Sequence, residues 1–225
     1  VTELLVAKGL AKSFGKTTAL VDASLSVRAG ELVAVMGPSG SGKSTLLHCL
    51  AGILKPDAGA VTYRGEDLSE MSDGDRSALR RNDFGFVFQF GQLVPELTFL
   101  ENVALPLRLG GTRRAEAERV AAQWLDQLEV GDIAAKRPEE VSGGQGQRAA
   151  VARALATRPK VLFADEPTGA LDSLNGERVL RLLFDAAKQT RAAVVIVTHE
   201  PRVAAYADRE VVVRDGRTQD TELVA

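Results

Sequence analysis

The run Gly37-Pro38-Ser39-Gly40-Ser41-Gly42-Lys43-Ser44-Thr45 has the makings of a phosphate cradle. Closely spaced glycines let consecutive backbone N–H groups turn toward one anion, and a helix starting directly after them adds the positive end of its dipole. Lys43 supplies a mobile cation for the β- and γ-phosphates of a nucleotide, and Ser44 a hydroxyl for Mg²⁺. A second candidate is Val161-Leu162-Phe163-Ala164-Asp165-Glu166, an apolar run that ends in two carboxylates. Beside a phosphate loop, Asp165 would face the Mg²⁺ and Glu166 would act as general base for a water attacking the γ-phosphate. Acidic residues begin many loops and helix caps, so this pair takes its meaning from the loop. The loop itself fits ATP and GTP alike.

Such a loop requires a strand before it and a helix after it. Residues 32–36 form an apolar run of strand type, and Leu46, Leu47, Leu50 and Ala51 carry helical spacing. Further strands are predicted at 19–27, 84–88, 161–164, 193–198 and 210–213. Helical spacing recurs at Ala117, Val120, Ala121, Trp124, Leu125 and Leu128, at Ala149, Ala150, Arg153 and Ala154, and at Val179, Leu180, Leu183 and Ala186. Strands alternating with helices predict an α/β fold with a mostly parallel sheet covered on both sides. The first thirty residues are strand-rich without a clear helix, and 91–157 read as mostly helical around a Gly110-Gly111 break. The expectation is a P-loop NTPase core (about 1–90 and 158–225), an N-terminal antiparallel β subdomain within it, and an inserted helical subdomain (about 91–157).

With 225 residues, 45% hydrophobic and 26% charged, the chain has the balance of a globular protein able to bury roughly 70% of its unfolded surface. A net charge of -2 gives no general attraction to nucleic acid, which is not expected as a partner. The single cysteine, Cys49, cannot form an internal disulfide and falls in a helical stretch where a thiol packs as a small hydrophobe. His48 has no motif around it and reads as structural. The start, from Val1 to Val6, lacks a basic segment followed by a long apolar one, and no window approaches the ~18 uncharged apolar residues of a membrane span. The chain is expected to be cytosolic, with membrane work left to a partner.

Val141-Ser142-Gly143-Gly144-Gln145, followed by Gly146-Gln147-Arg148, narrows the reading. A hydroxyl and two glycines opening a helix make an anion site by the same backbone physics as the first loop. The segment resembles the signature motif of ABC-transporter ATPases, with Val141 where Leu is most usual and Gly146 where a longer polar residue is usual. The resemblance implies one nucleotide-binding domain over 1–225, using ATP and Mg²⁺. It further implies that the signature of one subunit covers the γ-phosphate held by the P-loop of a second, so that two copies form a head-to-tail dimer. Gln89 resembles the Q-loop glutamine that contacts Mg²⁺ and water, and Ala170-Leu171-Asp172 the D-loop that crosses the interface. His199 resembles the H-loop histidine at the γ-phosphate. Phe14 stands where an aromatic stacks on adenine, with a core phenylalanine as the alternative. Gly146 costs roughly 1 kcal/mol in a helix interior and is expected to loosen the start of the signature helix.

The stretch Phe88-Gln89-Phe90-Gly91-Gln92-Leu93-Val94-Pro95-Glu96-Leu97-Thr98 through Glu101-Asn102-Val103, with Asp165-Glu166-Pro167-Thr168-Gly169-Ala170-Leu171-Asp172-Ser173, is similar to the lipoprotein-release, macrolide-export, cell-division and bacitracin-resistance branch. That likeness implies a permease with an extracytoplasmic domain, reached from the cytoplasmic face of the membrane. The surface from Phe90 to Thr98 is the expected docking site, a packed subdomain corner being the alternative. An amino-acid or other small-solute importer, a soluble ABC ATPase and a non-hydrolysing scaffold are the rival functions.

Overall fold

The computed structural model describes residues 3–221; Val1 and Thr2, where the segment without a leader pattern begins, lie outside the described residues. Along the chain run β1 (Glu3–Phe14), β2 (Thr17–Arg28), β3 (Leu32–Met36), α1 (Lys43–Leu50), β4 (Ala58–Tyr63), β5 (Glu66–Asp67) and α2 (Asp73–Asn82). Then come β6 (Phe84–Phe88), α3 (Phe99–Leu109), α4 (Arg114–Gln127), α5 (Gly143–Leu155), β7 (Val161–Asp165) and α6 (Ser173–Thr190). The chain closes with β8 (Ala193–Val197), α7 (Pro201–Ala204), β9 (Arg209–Arg214) and β10 (Arg217–Thr221). These elements fall into two compact units, one holding residues up to Arg80 and from Ala193 onward, the other Arg81–Ala192.

In the first unit β1 pairs antiparallel with β2 and β4, and β4 with β5, which is the antiparallel layer expected at the N-terminus. β3 is flanked by β8 and β9, both parallel to it. Val33 and Ala34 of β3 and Ala193, Val195, Ile196 and Val197 of β8 have no exposed surface, as strands buried on both faces require. Residues 32–36 and 84–88 form strands with the predicted bounds. The strands β4, β5 and β10 and the helix α2 go beyond what periodicity revealed. Two of these strands begin after two-residue turns with both residues at positive φ: Arg64-Gly65 before β5 and Asp215-Gly216 before β10. That is hairpin chemistry, and Asp-Gly is its commonest sequence sign.

The second unit packs α3 to α6 and the parallel pair β6 and β7 around Phe99, Leu125, Leu128, Ile133, Leu155 and Phe163. α3 starts with a reciprocal cap, in which the Thr98 hydroxyl accepts from the Glu101 amide and the Glu101 carboxylate accepts from the Thr98 amide. Those bonds from Thr98 hold the Glu101 carboxyl below its usual range. Asn102, fully buried, accepts from the Val94 amide and donates to the carbonyls of Val94, Leu97 and Thr98, so one side chain shapes the loop leading into α3.

Candidate active site

β3 ends at Met36 and α1 begins at Lys43, so residues 37–42 are the strand-to-helix loop that the motif requires. Gly42, at φ 106 and ψ 4, delivers the chain into α1. The first amides of a helix have no intrahelical partner, and here they open directly from the loop. Lys43 is buried, and its ammonium donates to the carbonyls of Gly37 (2.9 Å) and Pro38 (2.8 Å). The cation is therefore stationed against the loop itself. The buried Ser41 hydroxyl has no hydrogen-bond partner among the described residues, while Ser39 and Gly40 are exposed. A loop with an orphaned donor, a stationed cation and an exposed glycine crest fits a phosphate group. Ser44 is exposed and Thr45 half-buried in the first turn of α1.

The same unit carries Phe14 and His199. Phe14 closes β1 and is 50% exposed, with the Lys12 ammonium 5.8 Å from its ring centre; it is a surface aromatic and not a core residue. Lys12 is held there by Asp57 at 2.8 Å. His199 follows β8 and is exposed, next to the buried Thr198, whose amide donates to Val35 of β3 and whose hydroxyl accepts from the Glu200 amide.

In the second unit the parallel register pairs Phe88 with Asp165, which brings Gln89 and Glu166 out at the same end of two neighbouring strands. Glu166 takes φ 44, an uncommon backbone setting for a non-glycine residue that turns the chain sharply at the strand end. The Gln89 carboxamide and the Glu166 carboxylate crowd one face of Gly169, with Nε2 2.7 Å and Oε2 3.3 Å from where a Cβ would stand. A carboxylate and a carboxamide side by side can accept a proton from water and hold the water in place.

Ser142 caps α5: its hydroxyl accepts from the Gln145 amide (3.4 Å), and the Gln145 carboxamide oxygen accepts from the Ser142 amide (3.2 Å) and hydroxyl (3.1 Å). Ser142 and Gly143 are exposed, so the helix start faces outward as an anion site would. α5 runs unbroken through Gly146, whose amide donates to the Ser142 carbonyl at 3.0 Å. Asp172 caps α6, accepting from the Asn175 amide (3.0 Å) and side chain (2.6 Å); those two bonds lower its carboxyl pKa. Asn175 in turn packs on the signature, its Oδ1 3.0 Å from the Cβ that Gly144 lacks. This contact between α6 and the start of α5 was not visible in the sequence, because Asn175 belongs to no motif.

The first unit thus gathers Phe14, the phosphate loop and His199, and the second Gln89, Ser142 to Gln145, Asp165, Glu166 and Asp172. These are the groups that the resemblance to an ATP-binding cassette implies. A family model described as ABC transporter matches residues 20–169, and the chain belongs to that family as an ATPase cassette. It is 43% identical over 220 residues to the lipoprotein-releasing system ATP-binding protein LolD of Shewanella sp. (strain MR-4), covering 96% of this chain and 95% of that one. LolD 2 of Caulobacter vibrioides is also 43% identical over 220 residues, with 96% of each chain covered. Among solved structures, dimeric MJ0796, a bacterial ABC transporter cassette, is similar with a TM-score of 0.91 at 38% identity, over 99% of this chain and 100% of that one. A dimeric post-hydrolysis state of MJ0796 bound to ADP and Pi gives 0.90 at 37% identity with the same coverage.

Proposed function

We propose that two copies of this chain close on two ATP molecules and drive a separate membrane permease, with lipoprotein release or a related export or mechanical task at the cell envelope as the output. The observation that carries this reading is that one chain has two helix-opening anion cradles, residues 37–45 before and within α1 and Ser142-Gly143-Gly144 at α5. In the resembled family the second covers the nucleotide held by the partner's first, so neither is complete in one copy. The LolD relatives supply the export assignment.

In this reading Lys43 binds the β- and γ-phosphates, and Phe14 stacks on adenine. Ser44, Asp165 and Gln89 would hold Mg²⁺, which would offset phosphate charge. Glu166 takes the proton of the attacking water while Gln89 and His199 orient it. Asp172 crosses the interface, and loss of the γ-phosphate removes the charge that held the copies together. Phe90, 76% exposed directly beyond Gln89, marks the docking surface for the permease, running to Thr98. No helix among the described residues is long and apolar enough to cross a membrane, which suits a subunit held at the cytoplasmic face by its permease. The whole acts as one nucleotide-binding domain, with residues about 91–157 as its helical subdomain.

Glu166→Gln tests the chemistry. The variant is expected to bind ATP, to run as an ATP-dependent dimer in size-exclusion chromatography, and to turn over about 10²–10⁴-fold more slowly, the range for a lost general base. Normal turnover would remove Glu166 from the mechanism, and a variant that binds ATP as a monomer would remove the paired site.

A further inference from the structure

The loop carrying Gln89 is fastened to the signature helix by side chains that belong to neither motif's recognised chemistry. From α5, Gln147 donates through Nε2 to the Phe88 carbonyl (2.8 Å). Farther along α5, Arg153 spreads its guanidinium over two more carbonyls, Nη2 to Gly91 and Nη1 to Gln92, both at 2.7 Å. These acceptors bracket Gln89. The loop is shaped to meet them: Gly91 at φ 66 and Gln92 at φ 46 turn consecutive carbonyls the same way. Gly91 also approaches α5 closely, since a Cβ there would stand 3.3 Å from the Gln147 Oε1 and 3.4 Å from the Ala150 Cβ.

Arg153 is an unusual choice for a merely structural tie. Burial lowers its pKa, and no carboxylate among the described residues pairs with it; its charge is met by backbone carbonyls. Its planar fork meets the two adjacent carbonyls with two separate nitrogens in one rigid geometry, which the single rotatable ammonium of a lysine does not reproduce. Ser142 lies eleven residues earlier on the same helix, about 16 Å along its axis. A stiff helix clamped to the loop at one end and opening the signature at the other carries displacement between them.

We infer that Arg153 and Gln147 are positioning residues for ATP hydrolysis, latching the Gln89 loop to α5 so that Gln89 and Ser142-Gly143-Gly144 move as one piece. The inference rests on the proposed action of Gln89 at the nucleotide. The latch makes the setting of Gln89 depend on the signature, and so on the second copy that the signature serves. Hydrolysis is thereby tied to closure rather than to ATP binding alone.

The test is a double-substitution cycle read as steady-state ATP turnover. Arg153→Lys keeps the charge but not the fork, and Gln147→Met keeps the length but not the donor. Each is expected to lower kcat up to about tenfold, the equivalent of one buried hydrogen bond, with KM for ATP within about twofold because the phosphate loop is untouched. On a Gln89→Ala background, Arg153→Lys should cost less than about twofold more, because its effect passes through Gln89. Amide exchange across residues 89–93 should quicken in both latch variants. Wild-type turnover in Arg153→Lys, or a full further tenfold loss on Gln89→Ala, overturns the latch. Full turnover in Gln89→Ala alone overturns instead the role assigned to Gln89, and with it the basis of the latch.

Discussion

Replacing Gly42 by alanine should damage the phosphate loop in a way that can be apportioned. At φ 106 and ψ 4 the residue lies where only glycine is comfortable, and an alanine held there costs about 1–3 kcal/mol of backbone strain. Its Cβ would also stand 2.3 Å from the Ala19 carbonyl oxygen and 3.1 Å from Leu20 Cδ2. Ordinary carbon to oxygen contacts are about 3.3 Å or more, so roughly 1 Å must be found by moving β2 or the start of α1. The blocking atom is strand backbone, and overpacking of that kind costs about 1–3 kcal/mol. The total, about 3 kcal/mol or more, is a large part of a typical 5–15 kcal/mol stability. At about 2–4 °C per kcal/mol for a chain of this size, the melting temperature should fall by about 6–12 °C. Gly40→Ala is the control, because Gly40 also has positive φ (78) but its added Cβ meets nothing within 4 Å. Scanning calorimetry of both variants, with equilibrium binding of a fluorescent ATP analogue, separates strain from collision. Gly42→Ala should lose more stability than Gly40→Ala and bind at least about tenfold more weakly, the equivalent of 1.4 kcal/mol. A Gly42→Ala protein that melts within 2 °C of the parent, or no lower than Gly40→Ala, would refute the argument.

Gly146 invites the opposite change: it sits inside α5 with nothing within 4 Å of an added Cβ, so Gly146→Ala should stabilise by about 0.5–1 kcal/mol and leave turnover intact in thermal and ATPase assays. Phe14→Ala should weaken ATP binding about fivefold, the worth of roughly 1 kcal/mol of ring stacking, while Phe14→Trp retains it; equal affinity of all three in titration would remove Phe14 from the site. Burial raises the Cys49 thiol from 9.0 to about 11, so the native protein should resist a thiol reagent at pH 8 and react on unfolding. Because the folded value lies above the unfolded one, the protonated thiol's contribution is complete below pH 9 and is lost as pH rises toward about 11; denaturant midpoints across that window should fall, and fall less in Cys49→Ala.

The candidate motifs of this protein are written locally, within short runs of sequence. Residues 37–45 specify their cradle through the spacing of glycines and the lysine, because consecutive N–H groups are positioned by the dihedrals of the same few residues. Ser142 with Gln145 is likewise a cap closed within four residues, and the buried runs at 32–36 and 84–88 betray their strands by unbroken apolarity. The weaker elements were less legible. β4, β5 and β10 are short or half-exposed, and their signal lay in the turns Arg64-Gly65 and Asp215-Gly216 rather than in periodicity.

Only the tertiary structure decided how the motifs are braced. The collision at Gly42 comes from a carbonyl 23 residues away in the chain, and Asn175 packs on Gly144 from 31 residues away. Arg153 reaches carbonyls 61 and 62 residues distant. In the first and last of these one partner is main chain, which carries no residue identity, so no pattern of side chains can mark it in advance. Motifs name the candidate groups for the nucleotide; the packing of helix on loop determines which of them are fastened together.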